Sequence, residues 1–311
     1  MNRIGTSELH VTPLCLGANP FGWTADEATS HAVLDAYVGG GGNFVDTADV
    51  YGRRPGGERG EASEEIIGSW FERSGRRDDV VLATKVGKLP GAEGLSAATI
   101  RRACDASLRR LRTDRIDLYW AHADDPDTPL EETLGAFDEL VTAGKVRHVA
   151  ASIYDAPRLE AALGVSRREG FTPYVALQNH YNLLERSGYE GRTADVVAAE
   201  GLSAVPYFAL AMGFLTGKYR PGTAVDSVRS ASASRYLEDP RGLRVLAALD
   251  DVAAAHAVPV TAVSLAWLAA QETVAAPIAS ARTPEQVPDL LAAVELELTG
   301  EELAHLTAAS S

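Results

Sequence analysis

The stretch VVLATKVGKLPGAEGLSAATIRRACDASLRRLRTDRIDLYWAH, residues 80–122, reads as one complete structural unit. VVLATKVG is an apolar run of strand length. SAATIRRACDASLRRL opens on Ser96, a residue type that caps helices, and continues with a helical pattern. RIDLYWAH is a second apolar run. Neither run alternates strictly between apolar and polar residues, as expected of strands covered on both faces. Strand, helix, strand is therefore the reading. Both runs end close to an ionisable residue, Lys85 in the first and His122 in the second.

The same unit recurs on either side. Upstream lie LCLGA from Leu14 and NFVDTA from Asn43. Downstream lie VRHVAAS from Val146, YVALQNH from Tyr174, LSAVPYFA from Leu202 and VAAPIAS from Val274. Helical segments separate them. SEEIIGSWFER starts at Ser63, a candidate cap, and places Ile66, Ile67 and Trp70 on one face. PLEETLGAFDELVTAGK spaces Leu130, Leu134, Phe137 and Leu140 helically and ends at Gly144, a C-terminal capping residue. Eight strand–helix units in about 300 residues match a (β/α)8 barrel, a TIM barrel in the α/β class. A doubly wound sheet is the competing topology, but no GxGxxG follows the first strand. No linker divides the chain, so residues 1–311 are expected to form one domain. Two features lie outside the repeat. RIGTSELHVTPL reads as an N-terminal hairpin closing the barrel bottom. Residues 210–240, after the seventh strand, form a loop too long for an ordinary connection.

Composition narrows the function classes. The 311 residues are 46% hydrophobic and 23% charged, an ordinary globular balance. The formal net charge of −14 speaks against nucleic-acid and anionic-membrane partners. Cys15 and Cys104 are too few for a disulfide framework and fit a reducing compartment. The start MNRIGTSELH lacks an apolar signal core, and no long apolar run occurs. A cytoplasmic protein acting on a small molecule is expected, with an oligomer neither required nor indicated.

In such a barrel, chemistry belongs at the C-terminal strand ends. Asp46 and Tyr51 follow the second strand in DTADVYG, Lys85 ends the third and His122 the fourth. Singly, each has an ordinary structural explanation. Together they form a chemical set. A lysine near the core needs a partner, which Asp46 provides. The ammonium charge lowers the tyrosine pKa, so that Tyr51 can donate a proton.

These residues resemble, in order and context, the catalytic tetrad of the aldo-keto reductases. The resemblance covers nearly the whole chain. It runs through RIGTSELHVTPLCLG, DTADVYG, ATKVG, SLRRLRTDRIDLYWAH, GKVRHVAAS, LQNHYNLLER, GFLTGKY and SARTPEQV. It implies a (β/α)8 barrel that binds NAD(P)H extended across its C-terminal face. It implies catalytic roles for Asp46, Tyr51, Lys85 and His122, with Tyr51 as general acid for aldehyde or ketone reduction. Ser152 and Gln178 match positions that hold the nicotinamide carboxamide, and Tyr207 the ring that stacks on it. Leu210, Gly213 and Lys218 match the pyrophosphate segment. Ser280, Arg282 and Gln286 match the adenosine-phosphate end, where an arginine favours NADPH over NADH. No metal is implied. The chain departs from the family pattern at Ile153, Phe208 and Leu290. Trp23 and Trp120 are the substrate-pocket candidates. Two alternatives remain open. One is an NADPH-binding regulatory subunit with little turnover, similar to potassium-channel β-subunits. The other takes Lys85 as a Schiff-base lysine.

Overall fold

Every predicted strand is present. The computed structural model describes residues 1–52, 60–226 and 228–311. The chain opens with an antiparallel pair, β1 (Asn2–Arg3) and β2 (His10–Val11). Next come β3 (Cys15–Gly17), α1 (Glu27–Gly39), β4 (Phe44–Asp46), α2 (Ala62–Ser74), β5 (Val81–Val86) and α3 (Ala97–Arg110). They are followed by β6 (Ile116–Ala121), α4 (Leu130–Thr142), β7 (Val146–Ser152), α5 (Ala156–Glu169), β8 (Tyr174–Gln178) and α6 (Arg192–Ala199). The last part holds β9 (Ser203–Ala204), α7 (Ser230–Ser234), α8 (Pro240–His256), α9 (Val260–Ala269), β10 (Ile278–Ala279), α10 (Val287–Glu295) and α11 (Gly300–Ala309).

Eight parallel strands run in the order β10-β3-β4-β5-β6-β7-β8-β9. The Ala204 N–H donates to the Thr273 carbonyl, and Ala275 N–H to that of Ala204, at 2.7 and 2.9 Å, which closes the barrel. Two apolar layers result. The interior holds Phe44, Ala83, Leu118, Trp120, Ala150 and Val175. A larger layer lies between the strands and the helices, where α4 buries Leu130, Leu134, Phe137 and Leu140. Each such large side chain contributes roughly 2 kcal/mol of hydrophobic stabilisation.

The hairpin stops the N-terminal end of the barrel as expected. Ile4, Leu9 and Val11 are buried in the interior layer. Its turn lies so close to β8 that a Cβ on Gly5 would sit 2.1 Å from the Val175 carbonyl oxygen, and Gly5 also needs φ +50°. Among the described residues no single helix is long and apolar enough to cross a membrane.

Helix starts differ in one place. Ser96 caps α3 as expected, accepting from the Thr99 N–H. Ser63 does not cap α2. That helix starts two residues earlier, at Ala62 behind Glu61 at φ +70°, and Ser63 is buried inside it. Its hydroxyl bonds the Thr47 hydroxyl and donates to the Ala18 carbonyl, which ties α2 to the ends of β3 and β4.

Candidate active site

The tops of β4, β5 and β6 carry the first group of side chains. Asp46 ends β4 and is 2% exposed, while Lys85 on β5 is fully buried. The Lys85 ammonium donates to Asp46 Oδ2 and, at 2.7 Å, to the Thr47 carbonyl. Gln178, the last residue of β8, donates from Nε2 to Asp46 Oδ1 at 3.2 Å. Burial opposes the Lys85 charge, but Asp46 overrides it and the lysine pKa is raised. Burial raises the Asp46 pKa in turn, with Lys85 holding the rise back. A lysine kept this firmly protonated is a poor amine nucleophile, which counts against the Schiff-base alternative.

Tyr51 lies over this pair. The Lys85 ammonium is 4.8 Å from the centre of its ring, and the His122 ring meets it edge-on at 5.8 Å. The net shift of Tyr51 is upward, opposite to the expected lowering. Burial is the largest cause, and Lys85 offsets only part of it. His122 is 8% exposed and its pKa lies well below the ordinary value, because of burial and then the charges of Lys85 and Lys88. Both causes favour the neutral imidazole. Its buried Nδ1 has no hydrogen-bond partner among the described residues.

These groups open onto a cleft of about 780 Å3 at the C-terminal end of the barrel, a size suited to a cofactor or drug-sized ligand. Asp46, Tyr51 and His122 line it, as do Ser152, Gln178, Tyr207, Leu210, Gly213, Lys218, Ser280, Arg282 and Gln286. The Ser152 hydroxyl donates to the Gln178 carbonyl at 2.9 Å. Gln286 Oε1 accepts from the Arg282 N–H at 2.8 Å, which fixes the loop after β10. Gly17 packs under that loop, where a Cβ would lie 2.8 Å from Ser280 Oγ. The backbone is strained along one wall: Ile153, Phe208 and Met212 have φ of 57°, 53° and 59°. All three face the cleft, as does Leu290.

Trp23 is on the cleft wall, 39% exposed. Trp120 is not. It is fully buried in the barrel interior, in register with Lys85. Side chains alternate along a strand, so Leu118, Trp120 and His122 form one inward column. His122 is its top, and Trp120 lies a layer below the cleft.

The sequence reading missed several residues at the cleft. His180, outside the cleft lining, backs Tyr207 by stacking against it with ring centres 5.4 Å apart. Arg229, in the long loop, reaches Asn19 Oδ1 at 3.3 Å and lies 6.0 Å from the Phe208 ring. Its pKa is lowered by burial and then by the positive charge of Arg282. Lys88 also lines the cleft. An arginine in a polar loop carries no sequence signal that it folds back over a cleft. Ser227, in the same loop, lies outside the described residues.

The cleft suits an elongated anionic ligand. Lys218, Arg229 and Arg282 line its β9–β10 side in a chain whose net charge is −14. The like charges of Arg229 and Arg282 lie close enough to disfavour each other. The family model "Aldo/keto reductase family" matches residues 13–311. The oxidoreductase YrpG of Bacillus subtilis is 36% identical over 96% of this chain and 92% of its own length. Norsolorinic acid reductase stcV of Emericella nidulans is 32% identical over 95% and 77%. The aryl-alcohol dehydrogenase [NADP(+)] of Phanerodontia chrysosporium is 30% identical over 96% and 82%. The chain belongs to the aldo/keto reductase family and is an NAD(P)H-dependent oxidoreductase.

Proposed function

We propose that this protein reduces an aldehyde or ketone to the alcohol with NADPH, and that Tyr51 delivers the proton. The observation that carries the reading is the convergence of Lys85, Asp46 and His122 on the Tyr51 ring at the cleft wall. The bound reduced nicotinamide supplies the hydride. Hydride to carbon and proton to oxygen together add two hydrogens across the carbonyl. Burial keeps the phenol protonated until the substrate oxygen gains electron density. The Lys85 ammonium then stabilises the phenolate that remains. Neutral His122 can donate a hydrogen bond to the same oxygen without competing to protonate it.

Ser152 and Gln178 are assigned to the carboxamide of the nicotinamide and Tyr207 to its ring. Leu210, Gly213 and Lys218 are assigned to the pyrophosphate, and Ser280, Arg282 and Gln286 to the adenosine phosphate. The paired positive charges of Arg229 and Arg282 support preference for the 2′-phosphate of NADPH over NADH. The NADP(+) in the name of the Phanerodontia relative points the same way.

Replacing Tyr51 by Phe removes the proton and almost no contact surface. Turnover is expected to fall by about a thousandfold or more, with NADPH affinity nearly unchanged. Stopped-flow absorbance of the reduced nicotinamide, with aromatic aldehydes as substrates, measures the first. Fluorescence titration measures the second. Retention of most activity in the variant would assign the proton to another group.

A further inference from the structure

The chain has four lysines, Lys85, Lys88, Lys145 and Lys218. Lys85 is paired with Asp46 and Lys145 with Asp105, and Lys218 lies 5.2 Å from the Tyr219 ring. Of these four lysines, Lys88 alone has no ion pair, hydrogen bond or ring contact among the described residues. It lines the cleft and is half-buried. It follows β5, between the strands that carry Asp46 and His122, and its charge helps to depress the His122 pKa. Burial and then Lys85 lower the pKa of Lys88 itself. An ammonium held near a second ammonium, with no carboxylate facing it among the described residues, gains from pairing with an anion. Asp46, the acid of this wall, already accepts from both Lys85 and Gln178.

The cofactor phosphates are not that anion. Their cluster of Lys218, Arg229 and Arg282 follows β9 and β10, which lie across the barrel mouth from β5. The cleft as a whole has a second property. Six large apolar side chains are exposed among the described residues, and four of them, Trp23, Ile153, Phe208 and Val228, line this cleft. Such a wall receives an apolar body.

We propose that the substrate is a carbonyl compound with an aromatic or similarly apolar body and a carboxylate, and that Lys88 pairs with that carboxylate. The proposal rests on the carbonyl-reductase reading above and adds the substrate class to it. The carboxylate takes no part in the bond changes. It fixes the orientation in which the carbonyl meets Tyr51 and His122.

The test compares para-formylbenzoate with its neutral methyl ester, on the protein and on Lys88→Met and Lys88→Arg. The ratio of kcat/KM, acid over ester, is expected to be about tenfold or more for the natural sequence and to arise mainly in KM. It should collapse toward one in Lys88→Met, return in Lys88→Arg, and shrink with added salt. A ratio near one in the natural protein, or a ratio that survives Lys88→Met, overturns the proposal. A binding measurement separates this from failure of the reductase reading. Quenching of tryptophan fluorescence by the product analogue para-(hydroxymethyl)benzoate needs no turnover. Lys88-dependent binding there supports the anion site even if no aldehyde is reduced, and equal binding to Lys88→Met contradicts it.

Discussion

The strand ends that carry Asp46, Lys85 and His122 are built differently from the loops that carry Lys218, Arg229 and Arg282. On the strand side the three groups are at most 8% exposed, and Asp46 and Lys85 sit on strands locked in parallel register. On the loop side Lys218 is exposed, Arg282 is half-buried, and residues 211–213 all have positive φ. On the proposed reading, proton transfer tolerates little error in position, which suits a sheet. A long cofactor has to enter and leave, which suits loops and long flexible cations.

The largest effect is expected where the rigid half is broken. Lys85→Met leaves a buried carboxylate without its cation. Turnover should fall by about a hundredfold or more, and denaturant unfolding should show a loss of roughly 3–5 kcal/mol. Normal stability in this variant would show that the ion pair is not part of the scaffold. On the loop side, Arg282→Ala should raise the dissociation constant for NADPH by about ten- to a hundredfold. NADH should be little affected, and equal changes for both cofactors would remove the 2′-phosphate assignment.

A third variant separates stability from chemistry near the rigid half. Asp49 is buried beside the cluster with both carboxylate oxygens lacking hydrogen bonds among the described residues. Its pKa rises from 3.8 to about 7, first through burial, then through Glu64, with Arg110 and Lys85 opposing. Tyr51 and Tyr119 also feel its charge. The folded state therefore holds this proton more tightly than the unfolded state. Its contribution to stability is present at roughly pH 4 and is lost as pH rises toward about 7. Asp49→Asn should gain about 2 kcal/mol at pH 8 relative to the natural sequence and little at pH 4 to 5. A pH-independent difference in denaturant melts would contradict the titration.

The smallest effect tests the strained wall. Ile153 is β-branched, has φ +57° and is 44% exposed. Asparagine adopts that conformation more readily, so Ile153→Asn should gain about 1 kcal/mol, read as a rise of a few degrees in melting temperature. A fall would mean that the isoleucine side chain contributes more through packing than its backbone costs.

The same contrast explains what the sequence discloses. Strands such as VVLATKVG and RIDLYWAH are visible because both of their faces are buried, and apolar runs record that directly. The β9 and β10 pieces were legible for the same reason, though each keeps only two ladder residues. Asp46, Tyr51, Lys85 and His122 were legible because strand-end positions follow from the strands. Trp120 was misplaced by one layer, since the run YWAH does not say how deep along the column the cleft floor lies. Ser63 was misread as a cap because α2 starts behind Glu61 at φ +70° with no side-chain cap, a start that no capping residue marks in the sequence. The direction of the Tyr51 shift was misjudged because sequence shows the neighbouring lysine and hides the extent of burial. Arg229, His180 and Lys88 lie in connections, where side-chain direction depends on tertiary placement.

The division between a proton-delivering sheet and a cofactor-holding loop arc is tested most directly by single-turnover kinetics at saturating NADPH, with Tyr51→Phe and Arg282→Ala compared side by side. The account predicts a drop of about a thousandfold for Tyr51→Phe and less than about threefold for Arg282→Ala, whose defect saturation hides. Equal losses in the two variants, or a Tyr51→Phe rate close to that of the natural sequence, would contradict it.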